Sequence, residues 1–374
     1  MTGLSTRPSN PLLRLGELGQ SPWYDYITRD LVTSGELARL IREDGLRGMT
    51  SNPSIFEKAI AGSRLYDEEI RTQAEGGASP QDIFERLAVA DVRAACDAFA
   101  GVYQATGGDD GLVSLEVSPA LAHDSAATVR EAVRLWRAVD RPNAMIKIPG
   151  TTEGLPAITE CIARGISVNV TLLFSVARYG EVIEAFHAGL ERRIDAGQPL
   201  RPIASVASFF VSRVDGKVDP ALDRLGDPKH LRGRIAIANA CAAYRGFEES
   251  LATPRWERLA AAGARPQRPL WASTSTKDPA YSDVHYVEPL VAPRTVNTLP
   301  PETFAAYRDH GRPAVRIADG MAAAPELLAA LGELGIDLGT VTRELEADGV
   351  ARFAASYTSL LAGIDAKAGA LAGR

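Results

Sequence analysis

The sequence predicts an α/β fold of the (β/α)8 TIM-barrel class with additional C-terminal helices. Short apolar runs of strand length recur eight times, and longer stretches with apolar residues at spacings of three and four lie between them. The two patterns alternate along most of the chain. Such alternation puts parallel strands in one sheet with helices covering it, and eight units make closure into a barrel the economical solution. An open doubly wound sheet is the alternative the pattern leaves standing.

Taken in order, the expected strands are Trp23 to Ile27, Leu46 to Thr50, Leu112 to Val117, Ala144 to Ile148, Ser167 to Leu172, Ile203 to Phe210, Leu270 to Ser273 and Thr295 to Thr298. Between them, residues 34–44, 80–106, 126–139 and 175–197 each place apolar side chains on one face and charges on the other, as helices covering a sheet do. Residues 1–20 are rich in Ser, Pro and Gly and read as an irregular arm leading into a single domain over 21–374. From about residue 314 onward amphipathic helices follow, including GVARFAASYTSLLAGIDAKAGAL, expected to pack on the outside of the barrel.

The composition bounds the function. The 374 residues are 45% hydrophobic and 24% charged, which supports a sizeable core and excludes a disordered or fibrous chain. Forty-one basic against 47 acidic residues give a formal charge of -6, with no basic run to meet a nucleic-acid backbone or an anionic membrane. The expected partner is a small anion held by a few local cations. Cys96, Cys161 and Cys241 are odd in number and widely spaced, which fits a reducing cytoplasm better than a disulfide framework. The first twenty residues lack an apolar signal segment, and no later stretch is apolar enough to span a bilayer, so a soluble cytoplasmic protein is expected.

Cofactor signatures are missing: no G-x-G-x-x-G after a strand, no G-x-x-x-x-G-K-[ST], no H-E-x-x-H and no EF-hand loop. The five histidines are dispersed and read as structural or surface residues. No cofactor and no metal are expected.

Lys147 is the most unusual residue, since it sits in the apolar run AMIKIPG where a barrel strand should be buried on both faces. A lysine there either finds a partner at the strand edge or points into the barrel mouth, where active sites of this fold lie. Desolvation in such a place favours the neutral amine, the form that attacks a carbonyl. Asp25 after the first strand and Glu116 within VSLEVSP add two carboxylates at the ends of other strands. Together the three supply a nucleophile, an acid and a base. Asn52 in MTSNPS, beside Thr50, and Asn169 and Thr171 in SVNVTLL bring uncharged hydrogen-bonding groups to neighbouring strands. Asn52 alternatively belongs to a turn ahead of a helix. For a phosphate the candidates are Ser208 and Arg213 in ASFFVSR, and Ser273, Ser275 and Lys277 in WASTSTK.

DYITRD, GMTSNPSIFEKAI, VSLEVSPALAHD, MIKIPGTTEGL, GISVNVTLLFS, SVASFFVSRVDGKVD and LWASTSTKDPAYSD resemble, in order and spacing, the signatures of the transaldolases in their longer bacterial form, from about Ser21 to Asn297. The resemblance implies a cofactor-free class I aldolase chemistry of the pentose phosphate pathway. A dihydroxyacetone unit would pass from sedoheptulose 7-phosphate or fructose 6-phosphate to glyceraldehyde 3-phosphate or erythrose 4-phosphate. It implies Lys147 as the Schiff-base lysine, Asp25 as the acid/base at the C4 hydroxyl, and Glu116 with Thr171 as a proton shuttle through a water. Thr50, Asn52 and Asn169 would face the dihydroxyacetone portion, and Ser208, Phe210, Arg213 and Ser273 the rest of the substrate. Shorter members carry Phe and then a phosphate-binding Arg after the serine matching Ser273; this chain reads Thr274-Ser275-Thr276-Lys277, so the resemblance assigns the missing charge to Lys277. An aldolase that releases free dihydroxyacetone and a silent sugar-phosphate-binding barrel are the rival readings. A monomer or homodimer is expected.

Overall fold

A computed structural model describes residues 10–372. Eight strands form a closed, all-parallel barrel in sequence order: β1 (Gln20–Tyr24), β2 (Gly48–Met49), β3 (Leu112–Glu116), β4 (Ala144–Pro149), β5 (Val168–Leu173), β6 (Ser205–Phe210), β7 (Arg268–Ala272) and β8 (Thr295–Leu299). The expected barrel is therefore the observed one, and the open sheet is excluded by the parallel pairing of β1 with β8 from Gln20↔Thr295 to Tyr24↔Leu299.

Strand boundaries move by a few residues. The largest difference is at β1, expected at 23–27 and found at Gln20–Tyr24. The irregular arm expected over residues 1–20 is corrected over its second half: Pro11–Glu17 is a helix, with Leu12 and Leu15 fully buried. Asn10 accepts a hydrogen bond from the Leu12 amide at 3.0 Å, and Pro11 occupies the first turn. An Asn cap followed by Pro is a helix-start signal that the Ser/Pro/Gly-rich composition concealed. Residues 1–9 of that arm lie outside the described residues.

Strands buried on both faces are mostly apolar, and β4, β5 and β6 are buried at every position. Trp23 and Trp271 are fully buried. Packing on Trp23 explains Gly48: a Cβ there would lie 2.4 Å from the indole, so only glycine lets β2 pass. Several covering helices start on side-chain caps, as at Pro80–Ala98, where Ser79 and Asp82 form a reciprocal capping box. Among the described residues no helix is long and apolar enough to cross a membrane.

The C-terminal helices do not all pack on the outside. Ile317–Glu333 lies against the covering helix Ile235–Leu251. The last helix, Leu338–Ala372, instead brings Leu345, Asp348, Arg352 and Phe353 to the barrel mouth. Leu345, Asp348 and Arg352 fall at spacings of three and four, one face of a helix. Gly349 permits the approach, because a Cβ at that position would stand 2.9 Å from Leu172 Cδ2. Leu172 has a left-handed φ of 61° within an irregular stretch of the β5–β6 register, so the strand is deformed where it meets the helix. Lys217 pins the helix through Glu344 at 2.7 Å and Asp348 at 3.4 Å.

Candidate active site

A cavity of about 1210 Å³ opens at the C-terminal ends of the strands. Its wall includes Asp25, Thr50, Asn52, Lys147, Thr171, Ser208, Phe210, Arg213, Ser273, Ser275 and Lys277. Eleven of the thirteen residues singled out in the sequence therefore meet at one mouth. The other two, Glu116 and Asn169, flank Lys147 in the sheet without forming part of that wall: Glu116 is paired with Lys147 across β3 and β4, and Asn169 across β4 and β5.

Lys147 is 4% exposed, although it carries an amine. Its Nζ donates to the Ser51 carbonyl at 3.2 Å and lies 3.2 Å from Glu116 Oε2. The Phe353 ring covers it at 5.6 Å. Burial pushes the Glu116 carboxyl up to about 7, with Lys147 opposing the rise and Asp25 adding to it. Glu116 Oε1 and the Thr171 hydroxyl are buried with no hydrogen-bond partner, and Glu116 Oε2 meets only the Lys147 amine. An unpaired carboxyl oxygen beside the amine and an unpaired hydroxyl on the cavity wall mark a place built to handle a polar guest.

Asp25 follows β1, and its amide completes the pairing by donating to Leu299 O at 2.9 Å. Its carboxylate accepts from Thr50 Oγ1 at 2.6 Å, and Thr50 also meets Thr298 Oγ1 at 2.7 Å. Burial raises the Asp25 pKa against the pull of Lys147, the Thr50 hydrogen bond and Arg213. A carboxyl so placed is shifted toward the range in which it both takes and returns a proton.

The remaining polar residues divide into wall and support. Asn52 caps the helix Pro53–Gly62, accepting from the Ile55 amide at 3.0 Å, so the turn reading and the wall position are both realised. Asn169 donates to Ser114 Oγ at 3.0 Å and accepts from Ser208 Oγ at 2.7 Å. It holds Ser208 in place from off the cavity wall. Ser273, at φ 55°, reaches Ser212 Oγ at 3.0 Å and accepts the Ser212 amide on its carbonyl. That contact fixes the start of the helix Ser212–Arg224, whose first turn carries Arg213 over the Phe210 ring at 5.1 Å. Further along, Asp215 accepts from the Ala236 amide and the Tyr286 hydroxyl, and Asp219 from the Gly233 amide and the Tyr281 hydroxyl. These bonds anchor the helix that presents Arg213.

Sequence reasoning missed Thr298, the Ser51 carbonyl, Arg352 and Phe353. Thr298 was legible as a polar residue ending an apolar strand. Phe353 carried no signal, since an aromatic at helical spacing reads as core packing.

Comparison with known proteins agrees with this geometry. The family model described as Transaldolase/Fructose-6-phosphate aldolase matches residues 22–364. A protein named transaldolase from Frankia alni is 52% identical over 94% of this chain and 96% of its own length. One from Acidothermus cellulolyticus is 53% identical over 95% and 96%, and transaldolase 2 from a Nostoc species 47% over 96% and 97%. Matches of this extent, together with the lysine and carboxylates gathered at the mouth of the barrel, mean that the chain belongs to the transaldolase/fructose-6-phosphate aldolase family.

Proposed function

We propose that the protein is a transaldolase, moving a dihydroxyacetone unit between sugar phosphates of the pentose phosphate pathway through an imine on Lys147, in the cytoplasm. The observation that carries this reading is the buried Lys147 amine on the cavity wall, 3.2 Å from a carboxyl that titrates near neutrality.

The chemistry follows from the residues. Lys147 Nζ passes a proton to Glu116 and attacks the C2 carbonyl of fructose 6-phosphate or sedoheptulose 7-phosphate, giving a carbinolamine. Glu116 returns the proton to the departing hydroxyl, water leaves, and a protonated imine forms. Thr171 and Glu116 hold the water involved. Asp25 then takes the C4 hydroxyl proton; the C3–C4 bond breaks, its electron pair enters the imine, and an aldose phosphate departs. The enamine left on Lys147 waits under Phe353, which limits access of water. An acceptor aldehyde, glyceraldehyde 3-phosphate or erythrose 4-phosphate, takes up the electron pair and recovers the proton from Asp25. Hydrolysis of the new imine consumes the water released earlier. Thr50, Asn52 and Ser208 hold the hydroxyls near the reacting carbons, with Asn169 positioning Ser208. Ser273, Ser275, Arg213 and the start of the helix that carries Arg213 receive the phosphate, with Lys277 in reach on the loop after β7.

The test is turnover of fructose 6-phosphate with and without erythrose 4-phosphate. Transaldolase chemistry predicts sustained turnover only when the acceptor is present. Equal turnover in its absence, with free dihydroxyacetone accumulating, overturns the reading in favour of a simple aldolase.

A further inference from the structure

Several cations of the cavity wall are not paired with its acids. Lys147 faces Glu116, Lys217 faces Glu344 and Asp348, and Arg232 faces Asp223 and Asp278. Lys58, Arg213, Lys277 and Arg352 line the same space with no ionic partner among the described residues. A half-buried guanidinium without a close counter-ion is costly, and a like charge nearby adds to the cost, unless an anion completes the site.

Arg213 is such a group, and Arg352, exposed on the same cavity wall, is the like charge near it. Arg213 is half-buried. Burial, followed by the like charge of Arg352, holds its guanidinium below the ordinary range, and the charge of Asp25 only partly compensates. The two come from distant parts of the chain. Arg213 sits in the first turn of Ser212–Arg224, and Arg352 on the helix Leu338–Ala372 that crosses the mouth. The position of that helix is fixed on the wall's own terms. Phe353, the next residue, reaches over Lys147, Gly349 sits against Leu172, and Asp348 is already held by Lys217 and so is engaged away from Arg352.

We propose that Arg352 is a phosphate-binding residue of this active site, closing on the substrate phosphate from the C-terminal helix opposite Arg213. The inference rests on the transaldolase reading and extends it. The loop after β7 offers Ser275 and Lys277 but no guanidinium, so the second planar, two-pronged donor comes from the roof. A guanidinium grips a phosphate through two parallel hydrogen bonds, which a lysine at Lys277 cannot match. The same helix that covers the amine thereby senses whether the ligand carries a phosphate.

Two measurements on the full-length protein test this. The first is the KM for fructose 6-phosphate, with erythrose 4-phosphate as acceptor. Arg352→Ala should raise it ~10- to 100-fold with a smaller change in kcat, and Arg352→Lys should recover part of the loss. Lys277→Ala should raise it less than Arg352→Ala does. The second is equilibrium binding of inorganic phosphate, which needs no turnover: Arg352→Ala should weaken it by a similar factor. An unchanged KM and unchanged phosphate binding in Arg352→Ala overturn the proposal. So does a kcat loss with KM unmoved, which would make the residue a structural part of the roof. If the wild-type protein shows no covalent imine yet binds phosphate through Arg352, the Lys147 chemistry falls and this assignment stands.

Discussion

Removing the amine of Lys147 by Lys147→Met leaves Glu116 as a buried carboxyl without a cation beside it. Such a deletion is ruinous when the remaining charge is trapped. Here it is not, because burial already holds the Glu116 pKa at about 7 against an ordinary 4.5, and Lys147 is the main influence keeping it from rising further. In the variant the carboxyl is therefore neutral at pH 7, and the protein folds. The cost appears as pH dependence. A carboxyl whose folded-state pKa is raised contributes stability that is fully present below its unfolded pKa and is lost as pH rises through the folded one. Between pH 5 and 7 the unfolded chain releases this proton and the folded chain keeps it, at about 1.4 kcal/mol per unit. Two units give about 3 kcal/mol. Urea unfolding of Lys147→Met and of Lys147→Met/Glu116→Gln isolates this effect, since every other titrating group is common to both. The single variant should lose about 3 kcal/mol relative to the double variant from pH 5 to pH 7. A difference independent of pH would mean that Glu116 ionises freely in the fold, and the proton-shuttle argument would fail with it.

Two further variants probe other parts of the account. Asp25→Asn should cut carbon–carbon cleavage by ~10²- to 10⁴-fold while imine formation with fructose 6-phosphate persists, as read by single-turnover trapping; loss of the imine as well would misassign Asp25. His187, buried and stacked on Trp256 at 5.4 Å, has its pKa lowered to about 4, first by burial and then by Arg255. A lowered histidine contributes stability that is present above the ordinary 6.5 and lost as pH falls toward 4, so His187→Gln should reduce the acid sensitivity of unfolding by on the order of 2 kcal/mol between pH 6.5 and 4. Identical acid sensitivity in the two proteins would place the histidine in contact with solvent.

The barrel was legible because a buried parallel strand has to be largely apolar, and β4, β5 and β6 are. Lys147 stood out for the same reason: it interrupts AMIKIPG, and only a pairing or a chemical use offsets its burial. Asp25 and Glu116 could be read as strand-end carboxylates, yet nothing in the spacing showed that Glu116 would sit beside the amine; that comes from the β3–β4 register. Asn169 was legible as a polar group on a strand, but its engagement with Ser114 and Ser208 depends on two other strands. The helix at Pro11–Glu17 was written in Asn10-Pro11 and overlooked beneath a loop-like composition. Arg352 and Phe353 were out of reach in principle. Their helix has the period of one that covers a barrel, and its passage across the mouth is decided by contacts at Gly349 and Lys217, more than a hundred residues from the strands and helices they meet.

The most direct measurement is mass spectrometry of the protein reduced with borohydride in the presence of fructose 6-phosphate. A three-carbon adduct on the peptide containing Lys147, absent in Lys147→Met, is the result this account predicts. An unmodified Lys147 peptide under turnover conditions, or an adduct on another lysine, would contradict it.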